Sequence, residues 1–217
     1  MSSEKKELET NQTVATYGNL FVVSSPSGGG KGTLIQRVLK ELPNVSYSVS
    51  YTTRAPRNGE VEGREYFFVT PEKFESMIAS GEFLEWANVY GKLYGTSRGQ
   101  VTREVCEGRD IILEVDVQGA ESVRELIADA VSIFILPPSL EILRQRLVAR
   151  GTDSPAELEV RLRNAPRELE AYKEFDYVII NDDVERAAGQ LTSIIEAERV
   201  RRERQELRIK HMVESFC

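Results

Sequence analysis

Ser25, Pro26, Ser27, Gly28, Gly29, Gly30 and Lys31 run together in the stretch SSPSGGGKGTL, residues 24–34. Glycines let a loop turn its N–H groups inward around an anion, and a lysine beside them adds a point charge. The usual pattern of such a loop is G-x-x-x-x-G-K-[ST], where the last hydroxyl touches a phosphate-bound Mg²⁺. Gly30 and Lys31 satisfy it, but Ser25 stands in the place of the first glycine and Gly32 in that of the hydroxyl. Thr33 carries a hydroxyl one residue later, turned about 100° around a helix. No direct protein ligand for Mg²⁺ is therefore expected, Thr33 being the one remaining candidate; water can complete the shell of a Mg²⁺ held by phosphate oxygens.

A second group lies in SYTTRAPRNGEVEGREYFF, residues 50–68. Arg54 and Arg57 sit three apart in a proline-bearing loop, with Ser50 before them and Tyr66 after. Two guanidiniums converging with hydroxyls make a receptor for a phosphate dianion. Further on, FLEWANVYGKLYGTS presents Glu85, Tyr94 and Thr96. A buried carboxylate can accept the N1–H and N2–H₂ donors of guanine, and adenine has no matching pair. Such a site can reject the wrong base by roughly 10⁴-fold, because its polar groups would be left unpaired. In IILEVDVQG, Glu114 and Asp116 alternate onto one side near a strand's C-terminal end, where ligands of open α/β sheets gather. Plainer readings stand beside these. The arginines can pair with Glu60 or Glu62, the strand-end carboxylates can cap a helix, and Trp86, Tyr90, Phe67 and Phe68 suit a small core.

The elements that would position these groups are legible in outline. NLFVVS, DIILEV, VSIFIL and DYVII are short, nearly continuous apolar runs, the texture of parallel strands buried on both faces. Helical segments are expected over Thr33–Leu42, Gln100–Glu107, Ala120–Asp129 and Leu140–Arg150, with one long helix from Val184 to about Lys210. The fold class expected is α/β, a parallel sheet flanked by helices. Core segments cover 19–48, 98–139 and 174–210; residues 49–97 form an inserted, mostly-β lobe with glycine turns. Residues 140–173 form a helical, arginine-rich insertion, and 1–18 and 211–217 are tails, the first expected to be disordered.

The bulk properties fit this plan. The chain has 217 residues, 41% of them apolar, and a net charge of −7. That charge argues against wrapping nucleic acid, while a local basic pocket can still take a small anion. No apolar run approaches a membrane span and no signal-peptide core is visible, so a cytoplasmic protein is expected. Cys106 and Cys217 lie far apart, and the lone His211 sits in a charged stretch, so neither a disulfide scaffold nor a zinc site is expected.

Taken together, SPSGGGKGTL, SYTTRAPRNGEVEGREYFFV, FLEWANVYGKLYGTS, ILEVDVQGA, LPPSLEILRQRLVARGTDS and VIINDD resemble the guanylate kinase family, over about residues 19–210. The second and third stretches are the specific ones. The resemblance implies ATP + GMP ⇌ ADP + GDP with Mg²⁺, on a P-loop core with a GMP lobe and a mobile lid. Carried over by position, Arg54, Arg57, Tyr66 and Tyr94 would hold the GMP phosphate. Glu85, Thr96, Asp116 and Ser50, with Gly95 among them, would surround the guanine or support its readers. Residues 25–33, with Lys31 foremost, would bind ATP phosphates, and Asn181 would lie near the adenine. Arg146, Arg150 and Arg161 would reach the transferring phosphoryl group. A non-catalytic relative that binds a phosphorylated protein segment is the rival reading; retention of Lys31, Arg146, Arg150 and Arg161 favours the kinase. A kinase for another nucleoside monophosphate is disfavoured by Glu85 with Thr96.

Overall fold

The computed structural model describes residues 17–151 and 154–214, without the side chains of Arg150, Leu207, Arg208 and His211. The first sixteen residues of the expected N-terminal tail, the Cys217 thiol and the His211 side chain lie outside this description. Gly18, assigned to the tail from sequence, donates its N–H to the Val105 carbonyl at 2.9 Å and is part of the folded body.

The four apolar runs form strands β1 (Leu20–Ser24), β7 (Asp110–Glu114), β8 (Val131–Leu136) and β9 (Tyr177–Ile180), all parallel. A further edge strand, β2 (Val45–Tyr47), completes a five-stranded sheet ordered β2-β7-β1-β8-β9. Sequence reading passed over β2 because three half-buried residues carry no periodic signal. The continuous apolar texture follows from burial on both faces. Phe21 and Val23 of β1 join one core cluster with Leu34, Ile35 and Leu191, while Leu20 and Val22 join the other with Val101 and Val123.

Four helices flank the sheet: α1 (Lys31–Glu41), α3 (Arg98–Cys106), α4 (Val117–Leu126) and α7 (Val184–Arg199). Helix α4 begins three residues earlier than expected because Asp116 caps it, its Oδ1 accepting from the Gly119 amide at 2.9 Å. The single long C-terminal helix expected from sequence is two, α7 and α8 (Arg202–Glu214). At the break, Gln205 Nε2 donates to the Arg199 carbonyl at 2.6 Å, and Arg201 and Arg204 turn back to the buried Glu198.

Residues 49–97 hold a second, four-stranded sheet ordered β4-β3-β6-β5. Its strands are β3 (Tyr51–Thr52), β4 (Phe67–Phe68), β5 (Phe83–Val89) and β6 (Lys92–Ser97), with helix α2 (Pro71–Ala79) packed on them. Its small core is Phe74, Met77 and Phe83. Trp86 and Tyr90, expected in that core, are exposed, because at these points the alternation of β5 and its turn directs them outward. Residues 140–174 form α5 (Leu140–Arg150), α6 (Pro155–Glu170) and a short 3₁₀ turn, Ala171–Glu174. Leu143 and Leu147 of α5 pack on Ala165 of α6, and Ser154 with Glu157 makes a reciprocal cap at the start of α6.

Candidate active site

The glycine loop joins β1 to α1, so its amides stand at a helix N-terminus. Gly30 is the cap of α1, with φ 90°, and a Cβ there would fall 2.4 Å from Asn181 Nδ2. Only glycine meets both conditions. That close approach is bonded: Asn181 Nδ2 donates to the Gly29 carbonyl at 2.9 Å, and Arg146 donates to the Asn181 carbonyl at 2.8 Å and the Gly29 carbonyl at 3.4 Å. Two residues distant in sequence thus brace the loop. Asn181 is buried, and its Oδ1 has no hydrogen-bond partner among the described residues. Within the loop, Pro26 O accepts from Ser25 Oγ and from the Gly29 amide, each at 2.9 Å.

Two cavities open beside this loop and share Gly28, Lys31 and Glu114 in their walls. The first, about 450 Å³, is lined also by Ser25, Gly30, Gly32, Thr33, Arg146 and Asn181. The second, about 280 Å³, lies between the core and the β lobe and brings together Ser27, Ser50, Arg54, Arg57, Tyr66, Glu85, Tyr94, Asp116 and Arg161. Lys31 Nζ is 3.8 Å from Glu114 Oε1 on the shared wall, and Tyr47 donates to Glu114 Oε2 at 3.1 Å. Burial, then the charge of Glu114, push the Tyr47 phenol above its usual range, so it stays a donor.

In the second cavity Arg54 is held in place by neighbouring protein groups. Glu60 accepts from Arg54 Nη2 at 2.8 Å and from the Arg57 amide at 2.7 Å. The Arg54 guanidinium lies 5.3 Å from the centre of the Tyr66 ring, and Tyr66 meets Tyr94 edge-on at 5.7 Å. Burial is the largest single influence and opposes the charge on Glu60, but the Arg54 hydrogen bond, the Arg57 amide and the charges of both arginines together outweigh it and hold the carboxyl low. The pairing of arginine with Glu60 and the convergence of arginine with tyrosine are therefore both realised.

Glu85 is 7% exposed, and Thr96, fully buried behind it, donates to Glu85 Oε1 at 2.5 Å. Burial is the main cause that pushes the Glu85 carboxyl up to about 7; the Thr96 hydrogen bond works against it and the charge of Asp116 adds to it. Gly119, in the first turn of α4, has no room for a Cβ, which would lie 2.7 Å from Glu85 Oε2. Residue spacing carries no hint of Gly119, nor of Tyr47, because both act through contacts between elements.

Not every expected residue lines these cavities. A Cβ on Gly95 would meet Phe83 Cδ1 at 2.8 Å and Phe74 Cζ at 3.0 Å, so its smallness serves the core of the lobe. Asp116 lines the second cavity, but one of its oxygens is committed to capping α4. Pro26 contributes its carbonyl to the loop's internal bonds. The Arg150 side chain lies outside the described residues. Among the described residues there is no cluster of three or more His, Cys, Asp or Glu able to hold a metal. No described helix is long and apolar enough to cross a membrane.

Comparison with known proteins gives a consistent picture. The guanylate kinase family profile matches residues 17–198. The chain is 52% identical over 184 residues to the guanylate kinase of Symbiobacterium thermophilum, covering 85% of this chain and 87% of that protein. It is 46% identical over 195 residues to that of Coxiella burnetii, covering 90% and 95%. A crystal structure of guanylate kinase from Anaplasma phagocytophilum superposes with a TM-score of 0.74 at 38% identity, covering 86% of this chain and 88% of that one. With its glycine loop on a parallel sheet and matches of this extent, the chain belongs to the guanylate kinase family.

Proposed function

We propose that the chain transfers the γ-phosphoryl group of ATP to GMP, giving ADP and GDP. The observation that carries this is the pair of cavities meeting at Lys31 and Glu114, one under a glycine loop and the other lined by arginines and a buried carboxylate. ATP occupies the first. The loop amides and Lys31 take its phosphates, and Asn181 faces the nucleotide side. GMP occupies the second, its phosphate between Arg54, Arg57, Tyr66 and Tyr94 and its base against Glu85. As a carboxylate, Glu85 accepts two donors from one guanine edge while Thr96 holds it from behind.

The attacking group is a GMP phosphate oxygen, already anionic, so no general base is required. Catalysis then rests on alignment and on neutralising charge spread over the transferring group. Lys31 and Arg146 approach that group from the loop side, and Arg161 from α6; Arg150 shares the same helix as Arg146. The donor set suits a hard, largely hydrated cation: Glu114 stands beside Lys31, and the missing side chain at Gly32 leaves space against its carboxylate, where a Cβ would sit 3.5 Å away. Glu114 and Asp116 are the residues that would hold a Mg²⁺ bound with ATP, and the ion would supply further positive charge to the phosphates.

The test is ADP formation from Mg·ATP with GMP, AMP, UMP or CMP as acceptor. Turnover confined to GMP is expected. Equal turnover with AMP would overturn the assignment of Glu85, and binding of GMP without turnover would support a retired, ligand-binding relative.

A further inference from the structure

The turn that joins β5 to β6 reaches beyond its own lobe. Tyr90 and Gly91 form it with φ of 51° and 75°, the left-handed pair that two-residue hairpins favour. A tyrosine in that conformation is uncommon, and this one is 41% exposed rather than packed in the lobe's core. Its hydroxyl donates to Glu168 Oε1 at 3.1 Å, and the other oxygen of Glu168 accepts from the Ser27 amide at 3.1 Å. The Arg161 guanidinium lies over the same ring, 4.9 Å from its centre, and donates to the Ser27 hydroxyl. Arg161 and Glu168 are seven residues apart on α6, hence on one face of the helix. Lobe, α6 and phosphate loop therefore meet at one side chain.

An arginine has many rotamers, and fixing one needs contacts on more than one side. Here Ser27 takes one edge of the guanidinium and the Tyr90 ring takes its face. The ring belongs to the lobe that binds the acceptor; the arginine does not. We propose that Tyr90 is a positioning residue, which sets Arg161 toward the second cavity only when the lobe's hairpin tip is docked on α6, and so ties phosphoryl transfer to the position of the acceptor lobe. This rests on the phosphotransfer reading above.

The experiment compares kcat and the KM for GMP in the unaltered chain, Tyr90→Phe, Tyr90→Leu, Arg161→Ala and the double variant Tyr90→Leu/Arg161→Ala. Tyr90→Phe keeps the ring and is expected within about 3-fold of the unaltered kcat, while Tyr90→Leu loses about 10-fold, the scale of one partly desolvated cation–π contact. The KM for GMP moves less than kcat in Tyr90→Leu. In the Arg161→Ala background the Tyr90→Leu change has no further effect, since the two residues act as one unit. An unaltered kcat in Tyr90→Leu, or the same loss in both backgrounds, would overturn the proposal. Absence of turnover in the unaltered chain would instead overturn the phosphotransfer reading itself.

Discussion

The two cavities draw their polar lining from different material. Beside the glycine loop it comes from backbone: amides at the start of α1, held in shape by Asn181 and Arg146, with Lys31 as the main charge. In the second cavity it comes from side chains, each braced by another: Arg54 of the lobe by Glu60, Glu85 of the lobe by Thr96, and Arg161 of α6 by Ser27 and Tyr90. The first kind of site sits on a sheet whose strands are buried on both faces. The second sits on two-residue strands and a hairpin around a three-residue core. A backbone site tolerates change wherever the loop keeps its shape; a side-chain site fails with any one brace.

That contrast can be broken from both sides. The largest loss is expected for Arg146→Ala, which removes both a charge facing the first cavity and a brace of the loop; kcat should fall by roughly 10³-fold, the low end for such arginines. A steady-state assay at saturating substrates checks this, and near-normal turnover would remove Arg146 from the transfer step. Next comes Gly119→Ala. The added methyl displaces the Glu85 carboxylate, so the KM for GMP should rise about 10-fold, the cost of disturbing one charged hydrogen bond, with the KM for ATP unchanged. A parallel rise in both constants would mean that α4 itself had shifted. The smallest effect belongs to Gly32→Ser. Its Cβ finds ordinary contact with Glu114, so turnover should stay within about 3-fold, while half-saturation by Mg²⁺ moves to lower concentration as a hydroxyl joins the shell. An unchanged Mg²⁺ titration would count against water filling that place.

The same contrast decides what could be read from the sequence. The parallel strands and the loop announced themselves, because double burial writes continuous apolar runs and a nest needs glycines at fixed spacing. The lobe's arginines, tyrosines and Glu85 stood out by type. Glu60 and Thr96 were legible beside them, but other supports were not: Gly119 meets Glu85 across the gap between α4 and β5, and Tyr47 reaches Glu114 from a strand too short to register. Tyr90 read as core by its composition, and its left-handed turn carried it outward. Asp116 read as a ligand residue or a helix cap, and the structure makes it the cap that starts α4 early. Gly95 joined the site by its neighbours in the motif, whereas its packing belongs to Phe74 and Phe83.

Base selection in the lobe is proposed to rest on the Glu85 carboxylate, and the pH dependence of GMP affinity tests it most directly. Burial holds this carboxyl up to about 7, above its unfolded value. Folding therefore favours the protonated form; that contribution is full below the unfolded pKa and is lost as pH rises through about 7. Guanine needs the other form, since only the carboxylate accepts both donors. The KM for GMP should thus fall as pH rises from 6 to 8 and level above the Glu85 value, and GMP should be preferred over IMP, which lacks the second donor. The phosphate of GMP titrates near about 6 in any variant. Glu85→Gln should keep only that shallow component and lose the preference over IMP. The same profile and the same preference in Glu85→Gln as in the unaltered chain would contradict the role assigned to Glu85.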